Sequence, residues 1–462
     1  MPGKKGGKKA SKSDDIDDII SSMKKLDQKK SEKEKEKAAS TPSVPTAPVV
    51  EPEPEPYTLI PKSVMDEKIK KSISMNIHGF NPDYKEGDPI VQTFPEPTIP
   101  LRIIFPKKTI PQGRIVPHPT LPEAQAKERF NSADYKKKDK LITPDSMVHD
   151  LRKAAEAHKE ARKWLRSWVK PGMTMMEICD KTENKVRELL EGDGVVAGLA
   201  FPMGCSLNNV AAHYTPNAGD FTVLGANDVV KFDIGSHVNG HIIDSAFTMC
   251  FNPQFQPLLD ITHEATMTGV KESGVDARLG EIGAKIQEVM ESGEVTIDGK
   301  TCPILSIKNL AGHTLGDYRV HAGKTLPITA CEDDTKMEEG DLFACETFGS
   351  TGRGYVDDAG ESSHFMLSNN ANMMSVDVKS VNAKALLKTI ESNFSTLAWS
   401  RRSLDRMGMK GYQISLQQLI RSGIVDECPP LADKKGSFVA QFEHTFLIKP
   451  SGKEIFSESD DY

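Results

Sequence analysis

Apolar positions along the chain change their period, and each period marks an element. Beyond Thr143, Met147, Leu151, Ala154, His158, Ala161, Leu165 and Trp168 follow one another at steps of three and four residues, the spacing of one buried helical stripe. Thr143 is expected as the N-cap of that helix with Pro144 in its first position, and Pro171-Gly172 as its stop. His158 on the stripe reads as a packed or snorkelling side chain rather than a ligand. Thr174-Met175-Met176-Glu177 has the capping-box pattern and predicts a second helix. Leu386, Leu387, Ile390, Phe394 and Leu397 predict a third, much later in the chain.

Between these helices the period falls to two. In the run from Val229 to Phe247, Asn239-Gly240 is a strong signal for a type I′ hairpin turn. With those two residues as the loop, Val238 lies opposite His241, Asp233 opposite Ala246 and Asp244 opposite Gly235. Alternation then places Phe232, Ile234, Val238, Ile243 and Phe247 on one face. Asp233, Gly235, His237, Ile242, Asp244 and Ala246 share the other, so the two aspartates are diagonal neighbours about 7 Å apart at the backbone. Two further strand-like runs carry acids: Asp341–Phe348 contains Glu346, and Phe438–Ile448 puts Gln441, Glu443 and Thr445 opposite Phe438, Ala440, Phe442, Phe446 and Ile448.

Upstream of Thr143 no such patterning is found. Residues 1–56 hold lysine blocks, an acidic patch at Asp14, Asp15, Asp17 and Asp18, and a Pro-Glu run, so they read as a disordered charged tail. That tail is either solubilising or an arm for a large polyanion such as a ribosome. Residues 57–142, rich in Pro and Lys, read as an irregular wrap in which Leu101-Arg102-Ile103-Ile104-Phe105 forms one short strand. The globular domain is expected over 143–462.

Composition narrows the class. The chain has 462 residues, 27% charged, with a net charge of −7, which excludes a wholly basic nucleic-acid coat. No run approaches the ~20 apolar residues that span a bilayer. The lysine-rich N-terminus has no apolar core behind it, unlike a secretory signal. Seven scattered cysteines without a CxxC pair point to a reducing cytosol rather than a disulfide framework, so a cytoplasmic protein is expected.

The chemistry lies in acids at positions that suit them badly. Aspartate is a poor strand former, and two unpaired carboxylates side by side in a half-buried sheet repel and are costly to desolvate. Either that face is solvated, or a divalent cation neutralises it. Glu346 and Glu443 sit in apolar strand runs. His313 lies between glycines in Ala311-Gly312-His313-Thr314-Leu315-Gly316, with His321 and His213 in other loops. Asp, Asp, His, Glu and Glu make an all-oxygen-and-nitrogen set suited to hard or borderline divalent ions.

Taken together, Phe201-Pro202-Met203-Gly204-Cys205-Ser206-Leu207-Asn208-Asn209, Ala212-His213-Tyr214-Thr215-Pro216-Asn217, the acidic hairpin, Gly312-His313, Glu346-Thr347-Phe348-Gly349-Ser350 and Gln441-Phe442-Glu443-His444-Thr445 resemble a eukaryotic type 2 methionine aminopeptidase. The resemblance covers 143–462. It implies an α/β pita-bread fold of two pseudo-two-fold-related halves, each a set of helices with a hairpin, and a helical insertion at about 368–430. It implies two divalent ions (Co2+, Mn2+, Zn2+ or Fe2+) held by Asp233, Asp244, His313, Glu346 and Glu443, with Asp244 and Glu443 bridging. A metal-bridging hydroxide would attack the peptide carbonyl, with Glu346 shuttling the proton. His213 and His321 would position substrate and stabilise developing charge, and the residue matching His213 is the one that epoxides of the fumagillin type alkylate. Phe201, Val320, His364 and Ala398 would line the methionine slot. Substrates would be nascent polypeptide N-termini with a small second residue, and the protein a monomer whose charged tail could contact the ribosome or translation factors. Cys428 departs from the aromatic expected before Pro429-Pro430. Alternatives are an Xaa-Pro aminopeptidase or prolidase of the same fold, and an inactive homologue that binds ribosomes or nucleic acid.

Overall fold

The computed structural model describes residues 90–106, 110–368 and 378–462. The expectations for 1–56, for 57–89 of the Pro-rich wrap and for 369–377 of the insertion fall outside the described residues.

Ahead of Thr143 the described chain is more regular than its composition implies. Leu101–Ile104 is a one-turn helix (α1), not the expected strand. Prolines flank it, and the Phe105 N–H closes the turn on the Leu101 carbonyl; an apolar run this short fits either state. Arg114–Val116 forms a strand (β1). Two polar helices follow, Glu123–Asn131 (α2) and Ala133–Ile142 (α3), and each buries only one side chain, Ala126 and Asp139. With no apolar stripe, neither was visible in the sequence.

Thr143 does not cap the next helix. Its hydroxyl donates to the Asp139 carbonyl and closes α3, while Pro144 is the N-cap of Asp145–Trp168 (α4). The stripe of α4 is buried from Leu151 to Leu165, with Met147 and Trp168 half-buried at its ends. Thr174 caps Met175–Leu190 (α5) by accepting the Glu177 N–H. Glu177 turns to Lys181 instead of back to the cap, so only half of the expected box forms.

The strands are Ala197–Leu207 (β2), Val210–Ala212 (β3), Val229–Val238 (β4) and His241–Cys250 (β5). The antiparallel order is β2-β4-β5, with α4 and α5 packed on it. The β4–β5 register is the expected one: Val238 faces His241, Asp233 faces Ala246 and Gly235 faces Asp244. Asn239 and Gly240 both have positive φ, 51° and 84°, as a type I′ turn requires.

A second half repeats the plan. Gln256–Glu272 (α6) and Leu279–Glu291 (α7) precede Glu294–Ile297 (β6), Lys300–Pro303 (β7), Leu305–Ser306 (β8), Ala311–Thr314 (β9), Thr325–Pro327 (β10) and Leu342–Ser350 (β11). Then come Asp357–Asp358 (β12), His364–Leu367 (β13), Val381–Phe394 (α8), Trp399–Ser400 (β14), Arg401–Arg406 (α9), Gln413–Arg421 (α10), Val425–Cys428 (β15), Leu431–Ala432 (β16), Val439–Ile448 (β17) and Lys453–Ile455 (β18). The main sheet runs β1-β18-β17-β11-β9-β10, with α6 and α7 against it. The segment from β13 to β15 has its own small core around Phe365, Leu386, Ile390, Trp399, Leu404 and Leu419. Helix α8 covers the predicted 386–394 stripe, and Leu397 is buried just beyond its end.

Candidate metal centre

The two halves bring their acids face to face. In β4 and β5 the hairpin register puts Asp233 and Asp244 on one face. In the main sheet Glu346 of β11 pairs directly with Glu443 of β17, and His313 of β9 pairs with Ala344, two residues from Glu346. Ligand atoms of Asp244, His313 and Glu443 all lie within 4.8 Å of one another. His313 Nε2 is 3.8 Å from Asp244 Oδ2 and 3.7 Å from Glu346 Oε1. Gln441 Nε2 donates to Asp233 Oδ2 at 3.3 Å and to Glu346 Oε2 at 3.1 Å. All five sequence candidates therefore meet in one place. The hydrogen-bonding part of Gln441 was missed, although its strand alternation had put it beside Glu443.

Neither hairpin face is solvated. The apolar face lies under α4, where Ser236 Oγ donates to the Ala154 carbonyl and His158 Nε2 to the Ser245 carbonyl. The acidic face is buried as well, and there the polar atoms lack partners. Both carboxylate oxygens of Glu443, Asp233 Oδ1 and His313 Nδ1 are buried without a hydrogen bond. Burial pushes the Asp233 carboxyl up to about 6. Burial and the neighbouring acids push Asp244, Glu346 and Glu443 well above the carboxylate range. Burial and then the His321 ring hold His313 down to about 3, so its imidazole is neutral, the form that binds metal. Four clustered carboxyls, two of them with orphaned oxygens, and one neutral imidazole fit divalent cations, which satisfy the lone pairs and the charge together.

The other candidates ring this cluster. The His321 ring meets His313 edge-on at 4.3 Å. His213 has φ of 65°, a left-handed conformation uncommon outside glycine, and its buried Nδ1 has no partner. Burial, then His321, lowers the His213 imidazole to about 4. His364 lies 5.9 Å from His213 ring to ring, and its Nε2 donates to the Pro202 carbonyl at 3.0 Å. Phe201 lies over Gly235, where any Cβ would collide with its ring. Phe201 and Ala398 line one cavity of about 30 Å³ together with Leu199, Pro202, Phe394 and Leu397; Val320 and His364 are not in its lining. Cys428 pairs across the strands with His364, and burial raises its thiol to about 11.

The model of metallopeptidase family M24 matches residues 149–450 of this chain. The chain belongs to that family. It is similar to Methionine aminopeptidase 2A of Arabidopsis thaliana, 52% identical over 334 residues, which cover 72% of this chain and 75% of the relative. Methionine aminopeptidase 2 of Sordaria macrospora is 51% identical over 330 residues, 70% of this chain and 75% of its own. A solved thermophilic Arx1 shares the fold, with a TM-score of 0.55 at 16% identity, over 72% of this chain and 92% of that one. The type 2 resemblance and the pita-bread fold read from the motifs are borne out, and this M24 metallopeptidase is a metal-dependent hydrolase. Among the described residues no helix is long and apolar enough to cross a membrane.

Proposed function

We propose that this metallopeptidase removes the N-terminal methionine from nascent polypeptides whose second residue is small. The observation that carries the reading is Glu443: a fully buried carboxylate, both oxygens unpartnered, beside Asp244 and His313. Asp233, Asp244, His313, Glu346 and Glu443 would hold two divalent ions drawn from Co2+, Mn2+, Zn2+ and Fe2+. Asp244 and Glu443 lie on neighbouring strands of the two halves with ligand atoms within 4.8 Å, so both would help to hold them. When bound, such ions supply Lewis acidity, acidifying water to near neutrality and polarising a carbonyl.

This chain's own residues do the rest. The carboxyl cluster attracts the substrate's free α-amine, which favours an aminopeptidase over an endopeptidase. Glu346, its Oε2 held by Gln441, is placed to take up and return the proton. His213 is neutral above about pH 5, so it can hydrogen-bond a substrate without adding charge. His321 faces the same space beside His313. Phe201, Val320, His364 and Ala398 would line the slot for the methionine side chain. Such a monomer works in the cytoplasm on chains leaving the ribosome, and the lysine-rich tail supports contact there.

Two substitutions test this. Asp244→Ala should abolish both metal binding and cleavage of a Met-Ala-Ser peptide; a fully active variant would refute the site. His213→Ala should slow turnover with metals still bound, and loss of metal there would show that its role is misassigned. Cleavage of Xaa-Pro peptides in preference to Met-Ala-Ser would select the prolidase alternative.

A further inference from the structure

Strands β5 and β17 carry Asp244 and Glu443 and lie side by side, yet among the described residues no backbone hydrogen bond joins them. Side-chain hydroxyls fill the gap. Thr445 Oγ1, on β17, accepts the Asp244 N–H at 2.9 Å and donates to the Asp244 carbonyl at 2.5 Å. Thr248 Oγ1, on β5, does the same to Gln441, accepting its N–H at 2.8 Å and donating to its carbonyl at 2.7 Å. The two threonines exchange roles between the strands, as the pseudo-two-fold relation of the halves would have it. Between them, Ser245 Oγ donates to the Glu443 carbonyl at 2.6 Å, and Tyr462 Oη accepts the Glu443 N–H at 2.7 Å. Tyr462 has the Ala246 carbonyl at 2.9 Å to receive its own proton.

Thus Asp244, Glu443 and Gln441 each have both backbone groups taken by hydroxyls. A direct ladder would hold the strands about 4.7–4.9 Å apart. Each threonine hydroxyl takes both backbone groups of one residue on the facing strand and ties them to its own strand through its side chain, so side-chain atoms stand between the two backbones while the register stays fixed. That spacing leaves room for two carboxylates to face each other with cations between them.

We infer that this hydroxyl seam is the positioning device of the metal centre: Thr445 and Thr248 set the separation and register of Asp244, Glu443 and Gln441. Thr445 and Thr248 are not among the proposed ligands and act through the backbones they hold. The inference rests on the ligand assignment proposed above.

The test is calorimetric titration of Mn2+ into the metal-free full chain, with thermal unfolding alongside. Thr445→Val keeps shape but removes the hydroxyl, and should weaken Mn2+ binding by about tenfold, the lower end of the range for outer-shell partners. Thr445→Ser should restore affinity to within about threefold of the native chain. Thr248→Val should also weaken Mn2+ binding, because it acts through Gln441 on Asp233 and Glu346. Thr182→Val removes a buried hydroxyl bonded to a helix carbonyl in α5, so it should lower the melting temperature and leave Mn2+ binding unchanged. Native Mn2+ binding by the Thr445 and Thr248 variants, or an equal loss in the Thr182 variant, overturns the inference. Should Thr445→Val fail to fold, Thr248→Val decides alone. Asp244→Ala separates the two claims: native binding there sinks the ligand assignment, whereas lost binding there with normal seam variants sinks the seam only.

Discussion

The two halves of the centre are assembled by different routes. In the first, one two-residue turn delivers both aspartates, and the strands it joins are neighbours in sequence. In the second, Glu346 and Glu443 meet only after the chain has passed through the whole helical insertion, and their pairing depends on apolar packing along β11 and β17. Local geometry fixes the one, tertiary packing the other. Damage should therefore be cheaper in the hairpin than in the main sheet.

The largest effect is expected from Phe446→Ala. Phe446 is fully buried, faces Phe343 in the register with ring centroids 6.0 Å apart, and lies three residues from Glu443. Its truncation should cost about 3–5 kcal/mol in a denaturant titration; a loss under about 1 kcal/mol would show that packing does not set this register. Gly240→Ala comes next. The φ of 84° costs a residue with a Cβ about 1–2 kcal/mol, and Tyr318 must move from the space the methyl needs. Mn2+ binding should survive in that variant, because the rest of the β4–β5 ladder still holds the register; lost binding would mean that the turn alone sets it.

The smallest effect at neutral pH is expected from His158→Gln on the helix-covered face of the same hairpin. Burial lowers His158 to about 3, while in the unfolded chain it titrates near 6.5. Below pH 6.5 the unfolded state takes up a proton that the folded state refuses, so stability falls as pH drops from 6.5 towards 3. Glutamine can keep the bond to the Ser245 carbonyl and does not titrate. The variant should therefore flatten the acid limb of stability by up to about 1.4 kcal/mol per pH unit, with little change at pH 7. An unchanged acid limb would show that His158 is protonated in the fold.

The same contrast decides what was legible in the sequence. Asn239-Gly240 and strict alternation carried the hairpin register down to the residue, because turn type and period leave one solution. Glu346 and Glu443 stood out as acids in apolar strands, but their pairing drew on the family motifs, since nothing local specifies it. Polar α2 and α3 were missed because helices held by tertiary contacts need no stripe. Leu101–Ile104 was misread because four residues, three of them apolar, have no measurable period. Thr143 was assigned to the wrong end of a helix boundary, where a hydroxyl can serve either neighbour. Thr248, Ser245 and Thr445 gave no signal at all, since a strand hydroxyl reads the same whether it meets water or a neighbouring backbone. Gln441 was placed on the right face, and its two acceptors became visible only when the sheets came together.

His213 closes the matter of where this protein is uncomfortable. Its backbone occupies a corner that glycine would take without strain, at a cost of about 1–3 kcal/mol to any bulkier residue. Thermal selection applied blindly to this chain would drift toward glycine at that corner and trade away an imidazole that the proposed chemistry uses. Robustness and turnover are thus set against each other at a single torsion angle.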